Sequence, residues 1–553
     1  MRKDRIMNKS TFRLLSLLLC LLLVLPMLFA CGDEGEDWDN DDDEEEVRTK
    51  KDDDEDEDDS PSDTKQNSGW GNLFGTTAAD TYDTPTTSTD VVSDSYDQGN
   101  DNDIDKKPTV STYDGLEFWI LSAGQVAYQD FGYNSDESEI LARGQYDRQK
   151  KVEEQYEIVI SFEIAEDKNS SKAGPGFQKF QKAALAMNLD YHLGIIGGYD
   201  VSNLAQQNYL YDLNSLEYID TSNPWWDQNA NDDLTINGML FFTNGSLTAA
   251  CSESTYVMYV NEEIASSCLG GVDLYQLVRD GKWTVDKLRE YARMYTEDDN
   301  GDDIMNGEDK YGLYVWDDAL VGMLEAAGTK VATVGDDNKI SLTLYNDNSV
   351  AMFNKYMDIA CDNKYALQYQ RTELKPSEGV VEAFKSGKAL FWQTSNVNRK
   401  HFRDMEVDCG ILPYPKLSED QARYYSTIAP YNSQFICVPI YIDGQEDCIS
   451  QITEALAYQG KQITWPAYYD DTLRGAFARD EGTYDMLNII YGSYSYDLGL
   501  YYKIGTYTSV LANLLRNRDT GFKAAYEQYL PIAESTLGVL NANFDMVVDQ
   551  WQG

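Results

Sequence analysis

The stretch from Val381 to Pro415 constrains the fold more than any other part of this chain. Val381, Phe384 and the aliphatic stem of Lys385 recur at helical spacing, so the stretch opens as a short amphipathic helix. Gly387 ends it, because glycine takes the left-handed turn that a helix terminus needs. Ala389-Leu390-Phe391-Trp392 then reads as a buried strand, with Gln393-Thr394-Ser395-Asn396 as an uncharged polar turn at its carboxyl end. Gly410-Ile411-Leu412-Pro413-Tyr414-Pro415 is a second strand, closed by two prolines that cannot extend a ladder. A helix feeding a strand with a polar end is the unit of an open α/β sheet. Ligands bind such sheets in the crevice outside the carboxyl ends of the strands.

The same unit recurs upstream. Leu116 to Leu121 reads as a first strand ending in Ser122-Ala123-Gly124-Gln125. Glu139 to Tyr156 is a helix, Ile158 to Ile164 a strand, Phe177 to Met187 a helix, and Tyr191 to Ile196 a strand. The last ends in Gly197-Gly198-Tyr199-Asp200, which lacks the spacing of a dinucleotide fingerprint. Alternation of this kind predicts right-handed βαβ units and largely parallel sheets. At 553 residues, two lobes are expected rather than one.

The order of helix, Gly-Lys-Ala with three apolar residues, polar turn, helix and Gly-x-Leu-Pro-x-Pro resembles family 1 of the extracellular solute-binding proteins, the sugar-binding lipoproteins of ABC importers. Tyr211-Asp212-Leu213, Asn223-Pro224-Trp225-Trp226, Tyr256 to Ile264 and Trp283 to Ala292 agree with it in order. The resemblance runs from about Tyr113 to the C-terminus. It implies an α/β, two-lobed periplasmic-binding-protein-like fold (type II), with mostly parallel sheets flanked by helices and hinge crossings between the lobes. Lobe 1 would be 113–256 and 430–462, and lobe 2 would be 257–429 and 463–553. The strand Tyr256 to Asn261 would carry the first crossing, and the chain would cross back before the strand Gln434 to Ile440.

The resemblance also implies a carbohydrate ligand, an oligosaccharide, in the cleft between the lobes. The polar turns facing that cleft nominate Gln125, Tyr199, Asp200, Gln393, Ser395, Asn396, Tyr431 and Asn432, with Trp392 as an aromatic platform. The strand from Tyr311 delivers Trp316, Asp317 and Asp318 to its carboxyl end. An aromatic face beside a carboxylate suits a sugar; equally, Trp316 could be core and Asp317 the cap of a helix starting near Ala319. Trp225-Trp226 offers flat faces of the same kind, or a structural corner. These turns lack the arginine fork expected for a carboxylate or phosphate ligand.

The first 31 residues carry Arg2, Lys3, Arg5, Lys9 and Arg13 ahead of the apolar run Leu14 to Phe29. That is the layout of an export signal. Leu28-Phe29-Ala30-Cys31-Gly32 resembles the lipobox of bacterial lipoproteins, although Phe29 stands where a small residue is usual. It implies a signal peptide over 1–30, lipidation of Cys31 and a lipid-anchored protein on the extracellular face of the cell membrane. Residues 31–112 then read as a tether. Between 32 and 107 there are 28 acidic side chains against 6 basic ones, and too few apolar groups to offset ordering entropy. As a flexible coil this spacer would reach on the order of 50 Å.

The formal charge of −50 argues against nucleic acid as a partner. The implied partners are the carbohydrate, the permease subunits of the importer and, through the anchor, the membrane; the protein itself is expected to be a monomer. Two histidines and no Cys-x-x-Cys or His-x-x-x-His pair speak against zinc, and no P-loop or Gly-x-Ser-x-Gly elbow is present. The chain therefore reads as a binding protein and not an enzyme. An extracellular carbohydrate-active enzyme, or a surface glycan-binding or sensor receptor of the same fold, are the alternatives. The six cysteines after Cys31 include several within strand-like runs, where a small buried hydrophobe is expected.

One acidic loop has metal-ligand spacing. Asp298, Asn300, Asp302, Asn306 and Asp309 fall at positions 1, 3, 5, 9 and 12 of a twelve-residue loop, with the Ile304 carbonyl at 7. That pattern suits calcium. Asp303 replaces the turn glycine and Asp309 the bidentate glutamate, so an acidic turn after a helix is the alternative reading.

Overall fold

The computed structural model describes residues 107–125, 140–166, 173–372, 374, 377–402, 408–469 and 481–552. Cys31, the export signal and the acidic tether up to residue 106 lie outside the described residues. In chain order the strands are β1 (Leu116–Gly124), β2 (Ile158–Glu166), β3 (Leu193–Gly197), β4 (Tyr256–Asn261), β5 (Tyr311–Val315), β6 (Ala332–Val334), β7 (Ile340–Leu342), β8 (Ala366–Gln368), β9 (Ala389–Ser395), β10 (Cys409–Leu412), β11 (Ser426–Thr427), β12 (Gln434–Cys437) and β13 (Tyr494–Ser495).

Two sheets make two lobes. The first has the order β12-β3-β1-β2 and the second β10-β4-β9-β5-β8. In the first, Leu116 to Gly124 pair in parallel with Ile158 to Glu166, and Ile120 pairs with Leu193. Phe118, Ile120 and Leu121 are fully buried there, beneath the helices Ile140–Tyr156 and Pro175–Ala186. The sheets are mixed, with four of the seven described ladders of the two lobes parallel. β12 runs antiparallel to β3, and β4 runs antiparallel to both β9 and β10. These exceptions are the strands that enter a lobe directly from the other one. A strand arriving across the seam has no helix to bring it round, so nothing imposes the parallel direction.

Antiparallel pairing also lengthens β9. Met258, Val257 and Tyr256 of β4 pair with Gln393, Thr394 and Ser395, so the expected polar turn is three more residues of strand. Gly387 stops the preceding helix with φ +79°, as its position requires. Thr284 caps the helix Val285–Ala292 by accepting the Lys287 amide at 3.4 Å.

The segment after 463 spans both lobes instead of belonging to the second. The helix Glu481–Gly492 packs on β10. The last helix, Phe522–Gln552, touches both the helix Gly198–Gln206 of the first lobe and β7 of the second. Ala533, Leu540, Phe544 and Val547 give it one buried stripe at helical spacing. At the seam, Thr255 bridges Ile428, and β11 pairs in parallel with β13. Three stretches of chain thus lie side by side where the lobes join.

Candidate functional site

At the carboxyl end of β5 the chain turns sharply into the helix Ala319–Ala326. Trp316 is partly buried there, edge-on to Tyr256 with ring centroids 4.6 Å apart, and its indole N–H donates to the Tyr414 hydroxyl at 3.0 Å. The indole is therefore held in one orientation with part of its surface free. The alternative of a purely core Trp316 is not what the packing gives.

The two aspartates that follow have separated roles. Asp317 Oδ2 accepts from Arg516 Nε at 2.7 Å and Arg371 Nη2 at 3.1 Å, while its amide donates to Gln370 Oε1 at 2.6 Å. It ties β5 to the helix Tyr507–Arg516 and is committed. Asp318 occupies the N-cap position yet makes no capping hydrogen bond. Desolvation first, and then the charge of Asp317, push its carboxyl up to about 6, against the opposing pull of Arg516 and the Tyr256 hydroxyl. Its negative charge is felt at Tyr199, Tyr256, Tyr369 and Tyr414, whose phenols burial has already raised. Tyr199 belongs to the first lobe and the other three to the second, so Asp318 lies between the lobes.

The facing wall comes from the first lobe and the C-terminal segment. Tyr199 opens the helix Gly198–Gln206 directly after β3, and Lys503 Nζ sits 4.0 Å from its ring centroid. Burial lowers the Lys503 ammonium, and the Asp200 charge opposes that. Tyr431 is 46% exposed beside Tyr199, and Asn432 next to it is partly exposed. The turn that carries them approaches closely: a Cβ on Gly198 would come within 2.8 Å of the Pro430 carbonyl oxygen. Gln125 is partly buried at the end of the first strand's turn, with its Nε2 shielded from solvent and without a partner.

Other nominated residues are placed elsewhere. Asp200 accepts the amides of Gly174 at 2.8 Å and Phe177 at 2.9 Å, capping the helix Pro175–Ala186, whose own N-cap glycine has no side chain. Trp392 is 1% exposed and packs among Tyr259, Tyr369, Phe384 and Phe402, so it is core and offers no platform. Gln393 is fully buried and accepts from the Tyr356 hydroxyl at 2.6 Å. Asn396 is equally buried, donating to the Ser252 carbonyl at 3.1 Å and the Tyr468 hydroxyl at 3.4 Å. Ser395 lies in the β4 ladder. Gln393 and Ser395 are held inside the second lobe because the strand continues through them, while Asn396, just past its end, is taken by the Ser252 carbonyl and the Tyr468 hydroxyl.

Trp225 and Trp226 resolve as a structural corner. Both indole N–H groups donate to the Glu454 carboxylate at 2.9 Å, with Asn223 Nδ2 adding a third bond at 2.8 Å. Burial pushes Glu454 up to about 7. The six later cysteines are all free, four of them buried.

The acidic loop is wrapped onto its own backbone. Asp298 Oδ1 accepts the Gly301 and Asp302 amides, Asp298 Oδ2 that of Asp303, and Asp302 Oδ1 that of Ile304. Asn306 Oδ1 accepts the Glu308 amide, and Asn300 Oδ1 that of Asp302. Buried Asp309 accepts from Asp299 at 3.0 Å and Asn306 at 2.8 Å. Asp303 takes the left-handed φ of +63° that a glycine would normally supply. Among the described residues no three His, Cys, Asp or Glu side chains are gathered as a metal-binding group.

No protein-family model matches the chain, and no curated protein matches it. Solved structures do. An ABC substrate-binding protein of Listeria monocytogenes, solved in complex with cycloalternan, aligns with a TM-score of 0.50 at 13% identity, over 76% of this chain and 99% of that one. The fold is that of a two-lobed substrate-binding protein. A cyclo/maltodextrin-binding protein complexed with maltotetraose aligns at a TM-score of 0.49, with 14% identity over 76% of this chain and 96% of its own. A receptor of Streptomyces glaucescens, solved unliganded and with acarbose, aligns at 0.47, with 13% identity over 77% of this chain and 98% of its own. At such identities the likeness is one of fold alone. Across the two lobes, Asp318 lies near Tyr199, with Trp316 beside Tyr256 on the second-lobe side and Tyr431 beside Tyr199 on the other. The sequence brought Asp318 to this strand end but favoured Asp317 as the sugar-facing carboxylate; nothing local marks Tyr256, Tyr414 or Lys503.

Proposed function

We propose that this chain is the extracellular substrate-binding lipoprotein of an ABC importer, capturing an oligosaccharide between its lobes and delivering it to the permease. The observation that carries this reading is Asp318, a desolvated carboxylate that caps nothing, placed beside the part-exposed indole of Trp316 and ringed by tyrosines from both lobes. An indole face stacks on the C–H face of a pyranose, and a carboxylate accepts two hydroxyl hydrogen bonds. Tyrosine hydroxyls both donate and accept. Cycloalternan in the Listeria protein of the same fold supports a carbohydrate.

Binding is favoured over turnover on a specific observation. Hydrolysis of a glycosidic bond needs two available carboxyl groups flanking it. Asp317, the neighbour of Asp318, is held by Arg516 and Arg371. We take the protein to act as a monomer tethered by a lipid on Cys31, with the acidic segment as spacer. Substitution Cys31→Ser should abolish fatty-acid incorporation, and undiminished label on that variant would sink the anchor. We also read the Asp298–Asp309 loop as a calcium site. The metal-ligand spacing of Asp298, Asn300, Asp302, Asn306 and Asp309, with Asp303 in the left-handed turn conformation the loop requires, supports it.

The function is tested by thermal scanning of the mature protein against an oligosaccharide panel. A cognate sugar at 100 times its dissociation constant should raise the melting temperature by about 5–10 °C. Absence of any shift together with cleavage of a panel glycan would replace importer capture with catalysis.

A further inference from the structure

We propose that Glu325, Thr427 and Ser495 form a binding site for a small monovalent cation of the sodium class, set into the seam that joins the lobes. Glu325 lies in the last turn of the helix Ala319–Ala326 and is 2% exposed; Thr427 on β11 is 1% exposed and Ser495 on β13 is 2% exposed. The Thr427 and Ser495 hydroxyls lie against the Glu325 carboxylate. Even so, both carboxylate oxygens of Glu325, Thr427 Oγ1 and Ser495 Oγ complete no hydrogen bond of acceptable geometry. Four buried oxygens thus converge, the two hydroxyls within reach of the carboxylate but none closing a well-aligned hydrogen bond.

The surrounding charges are already committed. The Asp497 carboxylate accepts the amides of Val331 at 2.5 Å, Ala332 at 3.1 Å and Gly499 at 2.7 Å. Lys330 Nζ pairs with Asp233 at 2.5 Å. Burial, then the Asp497 charge, hold the Glu325 carboxyl well above the usual range, and Lys330 opposes them only from a distance. When Glu325 ionises, nothing beside it covers the negative charge, and an uncompensated buried carboxylate is among the costliest groups a fold can hold. A bridging water would satisfy the lone pairs but bring no charge. A hard cation takes oxygen ligands, and a single positive charge matches the single carboxylate. Calcium usually draws a larger set of oxygens with more carboxylates.

The location gives the site a consequence. Thr427 pairs with Ser495 across the β11–β13 ladder, and the neighbouring Ile428 bridges Thr255. An ion here would tie a second-lobe helix to two of the stretches that cross the seam. Sodium binding at the seam is independent of the cleft ligand and is measurable without sugar.

The full chain is melted in choline chloride replaced stepwise by sodium chloride at constant ionic strength and pH 8. Wild type should gain about 2–4 °C in sodium. Glu325→Gln, which keeps the shape and removes the charge, should lose that gain, and so should Thr427→Val combined with Ser495→Ala. Equal sodium gains in wild type and both variants would overturn the site. So would a wild type indifferent to sodium, whose melting temperature instead tracks proton uptake lost in Glu325→Gln. In that case the carboxyl is simply held neutral.

Discussion

The carboxyl ends of β5 and β9 carry similar residues, a tryptophan followed by short polar side chains, and they lie on adjacent strands of one sheet. At the end of β9, Gln393 accepts from Tyr356, and Asn396 just beyond it meets Tyr259, Ser252 and Tyr468, all of them buried. In β5 the chain leaves the sheet after Val315, one aspartate is taken by two arginines, and the other is left facing the opposite lobe. The contrast teaches that a polar strand end marks a site only where the neighbouring strand has stopped pairing. β4 pairs with β9 up to Ser395; β5 is flanked by β8 and β9, whose pairings with it end at Val315 and Tyr314.

The largest effect should separate the two tryptophans. Replacing Trp392 by Ala removes a core side chain and should cost about 3–5 kcal/mol of stability in chemical denaturation. Trp316→Ala should cost far less stability and instead weaken sugar binding. A comparable stability loss in both would erase the distinction. Next, the double variant Gln393→Ala, Asn396→Ala should lower the apo melting temperature, at about 1–2 kcal/mol for each buried group left unpaired. It should leave the sugar-induced shift in place. Loss of that shift with an unchanged apo protein would move β9 back into the cleft.

Asp318→Asn should weaken sugar binding at least about tenfold, some 1.4 kcal/mol, measured by calorimetry. It should also change the pH profile of stability. Because the folded carboxyl titrates near 6 and the unfolded one near 3.8, the native state holds the extra proton in that window. This group's contribution is therefore full below the lower value and falls as pH rises through about 6. The difference in melting temperature between variant and wild type should grow in favour of the variant across that interval; a constant difference would mean Asp318 is not desolvated. The smallest effect belongs to the acidic loop. Chelator should lower the wild-type melting temperature by a few degrees, on the order of 1 kcal/mol. It should not affect Asp298→Ala, Asp302→Ala, and equal responses would leave the loop as an amide-capped turn.

Much of the architecture was legible beforehand. Periodicity and breakers located the β1, β4 and β5 strands, the helix Val285–Ala292 with its Thr284 cap, and the Gly387 stop, because each depends on neighbours within a few residues. The position of Trp316 at the end of β5 was legible for the same reason. What failed was the assignment of Gln393, Asn396 and Trp392, which depends on where β4 ends, more than 100 residues away in sequence. Asp200 misled in the same manner, since the helix it caps begins 25 residues earlier.

The amino-acid order alone determined the strand–helix alternation, the two-lobed α/β fold and the acidic loop that wraps on its own amides. These follow from local propensity, apolar spacing and charge density, which act over short stretches of chain. Only the tertiary structure decided which polar groups are spent and which are left over. Asp317 meets Arg516, Asp200 meets the Phe177 amide, and Glu325 meets two hydroxyls without satisfying either side. Desolvation and hydrogen-bond partnership are properties of groups brought together across the fold, so the chemistry of a carboxylate is settled only when its distant neighbours arrive.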